Sequence, residues 1–143
     1  MTEPAVANQG TPGVRVRPIR FTDDVSAMRR FCEALGLTAE IVSDGGGWVT
    51  FTAPAGGAAL HDAASSDGGY APGTTELSFE YAGPLEELEA RLHAAGFADA
   101  HVVDESYGRD LVVTDPDGVT VIVNEVQHDL HGYARVGQTV APS

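Results

Sequence analysis

The run Glu76-Leu77-Ser78-Phe79-Glu80-Tyr81 alternates polar and apolar residues. Successive side chains of a strand point to opposite faces, so Leu77, Phe79 and Tyr81 are expected beneath a helix and Glu76, Ser78 and Glu80 on the other face. In an earlier run Val14 and Val16 alternate with Arg15 and Arg17, but beyond Pro18 the apolar parity moves to Ile19 and Phe21. That shift is expected to put Arg20 on the face of Glu76 and Glu80. Such a face can receive a cation or a hydrogen-bond donor, and two dehydrated carboxylates on it would raise one pKa and hold one carboxyl ready as an acid. A mutually satisfied network of these carboxylates with Arg20 is the competing reading. Trp48, with Tyr70 and Tyr107 in or beside Gly-rich loops, offers ring faces to a planar ligand, although core packing accounts equally well for Trp48 alone.

Metal chemistry has a thinner basis, because a catalytic metal takes three or four protein groups. His128 and His131 are three residues apart but have no acidic or cysteine partner of known geometry, and they read as solvated tail residues. His93 and His101 read as surface residues. Cys32 is the single cysteine, so no intramolecular disulfide can form. No residue is assigned a catalytic role.

The elements that must position these groups follow from periodicity. Val14 to Phe21 reads as a strand, and Val25, Met28, Phe31, Cys32 and Leu35 recur at helical spacing, with Asp23 or Asp24 as N-cap and Gly36 as the stop. Strands follow at about Thr38 to Ser43, Trp48 to Ala53 and Ala58 to Asp62. After a Gly, Ser and Pro-rich connection from Ala63 to Gly73 the order restarts. A strand over Glu76 to Tyr81 precedes a helix opened by Pro84 at N1, carrying Leu85, Leu88 and Leu92 and closed by Gly96. Strands at about Ala100 to Asp104, Asp110 to Thr114 and Val119 to Glu125 complete it.

A shift of 60 pairs Val25, Met28, Ala34, Gly36 and Leu37 with Leu85, Leu88, Ala94, Gly96 and Phe97. A shift of 62 pairs Val49, Phe51, Pro54, Gly56 and Leu60 with Leu111, Val113, Pro116, Gly118 and Ile122. The pattern is an internal duplication: an α+β chain of two tandem βαβββ units, about 14–62 and 75–126, within one domain over 14–126. Each unit alone can bury one sheet face under its helix, and two together are expected to form an open half-barrel with a concave ligand cleft. Residues 1–13 are expected to be a flexible N-terminal segment and 127–143 a C-terminal tail.

Charge narrows the partners. The chain carries 21 Asp plus Glu against eight basic residues, all arginine, for a formal net charge of −13. That field repels phosphate backbones and anionic lipids and favours cationic small molecules, so neither nucleic acid nor membrane is an expected partner. Surface acid that merely maintains solubility is the plainer reading. No apolar run approaches the length of a membrane span, and a cytoplasmic location is expected.

The residues Asp24-Val25-Ser26-Ala27-Met28-Arg29-Arg30-Phe31-Cys32-Glu33-Ala34-Leu35-Gly36-Leu37 resemble the first helix of the vicinal oxygen chelate superfamily, which includes glyoxalase I, bleomycin resistance proteins and extradiol dioxygenases. Thr114-Asp115-Pro116-Asp117-Gly118 is similar to the tight turn before its last strand. The resemblance covers about residues 14 to 126. It implies four metal-ligand positions in metal-dependent members, and these fall here on Val16 or Arg17, Leu60, Glu76 and Ile122. Of these only Glu76 can ligate, and His61, next to Leu60, reaches that face only through a one-residue bulge. The resemblance therefore implies a protein without metal or other cofactor that binds a small molecule of cationic or aromatic kind, such as an antibiotic, and that pairs as a homodimer. Arg20, Trp48, Leu60, Glu76, Ser78, Glu80 and Ile122 are the expected ligand-binding residues, with Leu60 and Ile122 as the apolar floor. The alternative is an enzyme on the same scaffold: an isomerase, cyclase or lyase using Glu76 or Glu80 as acid or base, or a metal-dependent lyase or dioxygenase built on Glu76 and His61.

Overall fold

A computed structural model describes residues 13–66, 68–126 and 132–137. Among these the strands are β1 (Val14–Val16), β2 (Ile19–Thr22), β3 (Thr38–Ser43), β4 (Trp48–Thr52), β5 (Gly57–Asp62), β6 (Thr75–Glu76), β7 (Phe79–Tyr81), β8 (His101–Glu105), β9 (Gly108–Thr114), β10 (Thr120–Glu125) and β11 (Tyr133–Arg135). The helices are α1 (Val25–Ala34) and α2 (Leu85–Ala94). The chain is α+β, and each half repeats strand, helix and three strands: β2-α1-β3-β4-β5 and β7-α2-β8-β9-β10. The N-terminal segment up to residue 12 and the histidines His128 and His131 lie outside the described residues. Within the expected tail, residues 133–135 add a strand that pairs with β3.

Two compact units divide the chain. One comprises 16–66, 68–77 and 132–137. Its six strands run in the order β11-β3-β4-β5-β2-β6, with β2 parallel to β5. Val25, Met28 and Cys32 of α1 pack on Ala39, Val49, Phe51 and Leu60, so this sheet gives one face to the helix. Asp24 caps α1 by accepting from the Ala27 amide at 3.0 Å, and Gly36, at φ 104°, turns the chain out of it. Phe31 and Leu35 lie off the packed stripe and are exposed, which the three-and-four spacing alone did not distinguish.

The other unit, 13–15 with 78–126, has the sheet order β1-β7-β10-β9-β8. Tyr81, Leu85, Leu88, Ala100, Leu111, Val113 and Val123 form its core beneath α2. Pro84 stands at the N-cap of α2, one position before the expected N1. Arg109 on β9 bonds both Glu86 in the first turn of α2 and, at 3.0 Å, Glu125 on β10, tying helix to sheet. These two carboxylates hold the Arg109 guanidinium well above its ordinary pKa. Between β9 and β10, Asp115 Oδ1 accepts from the amides of Asp117 and Val119, both at 2.9 Å, and Gly118 supplies φ 81°. This is the turn singled out by Thr114-Asp115-Pro116-Asp117-Gly118.

Two expected strands are interrupted. Val14 to Phe21 breaks at Arg17-Pro18, and Glu76 to Tyr81 breaks at Leu77-Ser78, where the chain passes from one sheet to the other. Proline has no amide hydrogen to continue a ladder, which accounts for the first break. The second has no such local cause in its sequence.

Phe51 is wholly buried beneath α1, whereas Phe31 is 58% exposed. Phe51→Ala is expected to destabilise the chain by about 3–5 kcal/mol and Phe31→Ala to stay within ~0.5 kcal/mol of the parent, as read by urea unfolding followed by circular dichroism.

Candidate functional site

In the unit holding residues 16–77, the face opposite α1 carries a row of rings. Registers Phe21↔His61 and Trp48↔His61 set the three side by side across β2, β5 and β4. The His61 and Phe21 centroids are 5.4 Å apart, and the Trp48 ring meets His61 edge-on at 5.8 Å. Phe21 is the buried member of the row: with Ile19, Ala59 and Ala63 it forms a small core against which Trp48 and Tyr70 pack. Trp48 enters β4 directly after the Gly45-Gly46-Gly47 turn, with its amide donating to Ser43 Oγ at 3.1 Å.

Both ends of the row are polar. At one end the buried Arg17 guanidinium lies 5.2 Å from the Trp48 ring centroid, within cation–π range. At the other end Tyr70 stacks on Phe21 at 4.1 Å and 10°, and its hydroxyl donates to Glu76 Oε1 at 2.7 Å. The 68–74 connection is fastened to β2 by Phe21 N donating to Thr74 O at 2.9 Å and Gly73 N donating to Phe21 O at 2.8 Å. A Cβ on Gly68 would overlap the Tyr70 ring, so a glycine is needed there for the ring to lie against Phe21. The bond to Glu76, aided by partial burial and the carboxylate charge, pushes the Tyr70 phenol above its ordinary pKa.

The other unit has a polar set on the sheet face away from α2. Arg15 Nη1 donates to Glu80 Oε1 at 2.6 Å. Asn124 Nδ2 donates to Asp110 Oδ1 at 2.6 Å, and the Tyr107 hydroxyl donates to Asp110 Oδ2. Asp110 is 2% exposed, and a donor on each of its oxygens meets the requirement of a buried carboxylate. Ser78 is also buried, and its Oγ meets no hydrogen-bond partner among the described residues.

The expected ligand residues therefore separate. Trp48 and Glu76 stand at the ring row. Arg20 does not: it is opposite Thr75, while Ile19 is opposite Glu76, and its Nε donates to Thr75 Oγ1 at 2.8 Å. The parity change at Pro18 was read correctly for Ile19 and Phe21, but these are the residues on Glu76's face. Leu60 is not a floor residue of this face, because it packs with Cys32 beneath α1. His61, its neighbour, takes the opposite face without any bulge. Ile122 does lie opposite the α2 face, since Val121 and Val123 pack toward the helix, so the shift of 62 does not equate it with Leu60. Glu80 and Ser78 belong to a different unit from Glu76, because the strand expected to align all three breaks between Glu76 and Ser78. Leu77, expected under a helix, is 58% exposed at that break. Phe21, Arg15, Asp110 and Asn124 were not among the expected site residues; Arg17 was named only as a carried-over position unable to ligate, and His61 only as a metal ligand in the alternative reading. Tyr70 was expected, with Trp48 and Tyr107, to offer a ring face to a planar ligand.

Among the described residues no three His, Cys, Asp or Glu side chains converge as a ligand group. Arg17, at one of the positions carried over from metal-dependent proteins, is itself a cation. Cys32 is buried on the packed face of α1, where desolvation raises its thiol pKa.

No family model matches the sequence, and no curated protein does. Solved structures do match by fold. A glyoxalase/bleomycin resistance protein/dioxygenase superfamily member from Vibrio splendidus is 18% identical at TM-score 0.52, with 79% of this chain and 99% of that one covered. An NAD-dependent benzaldehyde dehydrogenase from Legionella pneumophila is 15% identical at TM-score 0.50, covering 78% and 99%. The chain has the glyoxalase/bleomycin resistance/dioxygenase fold. At these identities the likeness is one of fold, and function must be argued from residues.

Removing the charge at position 76 tests the geometry of the row. Glu76→Gln is expected to return the Tyr70 phenol toward its ordinary pKa, read from the Tyr70 ¹³Cζ shift in an alkaline titration. An unchanged Tyr70 titration would contradict the Tyr70–Glu76 bond.

Proposed function

We propose that this chain, built on the glyoxalase/bleomycin resistance/dioxygenase fold, binds a cationic aromatic small molecule without a metal and sequesters it, as a bleomycin-resistance-like protein would an antibiotic. The observation that carries the reading is the Trp48, His61 and Phe21 row with Tyr70 and Glu76 at one end. Ring faces attract planar ligands and cations alike, and a carboxylate beside them selects for positive charge. Arg17 over Trp48 is an internal instance of the same attraction, a planar cation on an indole face. Because Arg17 is positive, a ligand cation belongs at the Glu76 end. The net charge of −13 favours capture of cations at long range and makes it salt-dependent. A homodimer belongs to the same reading on the strength of the resemblance, and a cytoplasmic location goes with it.

An enzyme on this scaffold is the second reading, and the Tyr70–Glu76 hydrogen bond in the same row as His61 favours it, since such a pair can move a proton. Glu80 offers less, being ion-paired with Arg15.

Trp48 is the only tryptophan, so its fluorescence reports on the row directly. Titration with 9-aminoacridine, a planar cation, is expected to quench it saturably at micromolar concentration, with affinity at least ~10-fold lower in Glu76→Gln and in high salt. The anion 1-anilinonaphthalene-8-sulfonate is expected not to compete. Equal binding of both dyes, unaffected by the substitution, would contradict capture of a cation.

A further inference from the structure

We propose that His61 is the ligand's hydrogen-bond acceptor, through Nε2, and that the ligand class is accordingly a planar cation bearing an N–H donor. The inference rests on reading the ring row as the ligand site.

The assignment starts from the other ring nitrogen. His61 Nδ1 lies 2.8 Å from the carbonyl oxygen of Asp62. A carbonyl offers only lone pairs, so Nδ1 must carry the hydrogen of that bond. In the neutral ring the lone pair is then on Nε2. The Asp62 carbonyl is held in place: Asp62 pairs with Thr22 across β2 and β5, and its amide donates to Gly47 O at 2.8 Å. Ser65 Oγ approaches the same carbonyl at 3.3 Å and directs a hydroxyl to it.

Nothing nearby satisfies Nε2. Among the described residues His61 makes no hydrogen bond beyond the one at Nδ1. The rings against it, Phe21 and Trp48, present aromatic surface, and the hydroxyl of the row, on Tyr70, donates to Glu76. A half-buried acceptor between two aromatic side chains is a position for a donor supplied from outside. A planar cation stacked on the row can direct an N–H to Nε2, whereas a quaternary cation of the same shape cannot. A pure stacking and charge site would not tell these two apart.

Two measurements on the full chain test this. Long-range ¹H–¹⁵N spectra, with His61 assigned through His61→Gln, are expected to show the Nδ1–H tautomer in the free protein; an Nε2–H tautomer would overturn the proposal. Fluorescence titrations then compare 9-aminoacridine with 10-methylacridinium, a planar cation lacking N–H. The first is expected to bind about tenfold more tightly, the factor that ~1.4 kcal/mol represents, and His61→Phe to bring the ratio within ~2-fold while leaving 10-methylacridinium binding intact. Equal affinity of the two dyes for the parent protein would overturn the role of His61 and leave the cation site standing. Quenching by neither dye would overturn both.

Discussion

Each sheet commits one face to its helix, and period-two alternation then fixes which residues stand on the other. With Leu60 packed against Cys32 under α1, His61 has one place to go, and the β2–β5 and β4–β5 registers bring Phe21 and Trp48 beside it. With Leu111 and Val123 under α2, Asp110 and Asn124 are turned to the opposite face in the same way. A slip of one residue in either sheet would exchange these sets wholesale.

The two sheets use the side chains turned away from their helices differently. In the 13–15 and 78–126 unit the polar groups answer one another: Arg15 with Glu80, and Tyr107 and Asn124 with Asp110. Such a network stabilises because each charge meets an opposite charge or a donor. In the 16–77 unit the rings dominate. Tyr70 is aligned by its stack on Phe21 and by its bond to Glu76, and Gly68 leaves it room. The loop residue is thus placed by the strand beneath it, so stacking surface, carboxylate and imidazole occur together on one side of one sheet.

Much of the architecture was legible in the sequence because it depends on local signals. Gly36 and Gly96 ended their helices, Asp24 capped α1, and the Asp115-Pro116-Asp117-Gly118 turn joined β9 to β10 as its composition required. The site was less legible because it depends on parity relative to the helix, which two strand breaks control. Pro18 announced the first break. Leu77-Ser78 carried no comparable signal, so Glu76, Ser78 and Glu80 were read as one face although they fall in two sheets. The internal repeat misled in a related way. Equating Leu60 with Ile122 matched turn to turn but not face to face, and the error put His61 on the wrong face. A comparison of packing partners rather than of turn spacing would have exposed it: Leu60 has Val49 and Phe51 as apolar neighbours on the helix side, whereas Ile122 lies between Val121 and Val123, the two that face the helix.

The central claim is that the ring row of the 16–77 unit receives the ligand. Chemical-shift mapping of the ¹⁵N- and ¹³C-labelled full chain during addition of 9-aminoacridine tests it most directly. The predicted result is perturbation concentrated on the Trp48 indole N–H, the His61 ring, Phe21, Tyr70 and Glu76. Perturbations confined to Tyr107, Asp110 and Asn124, with the ring row unmoved, would contradict it.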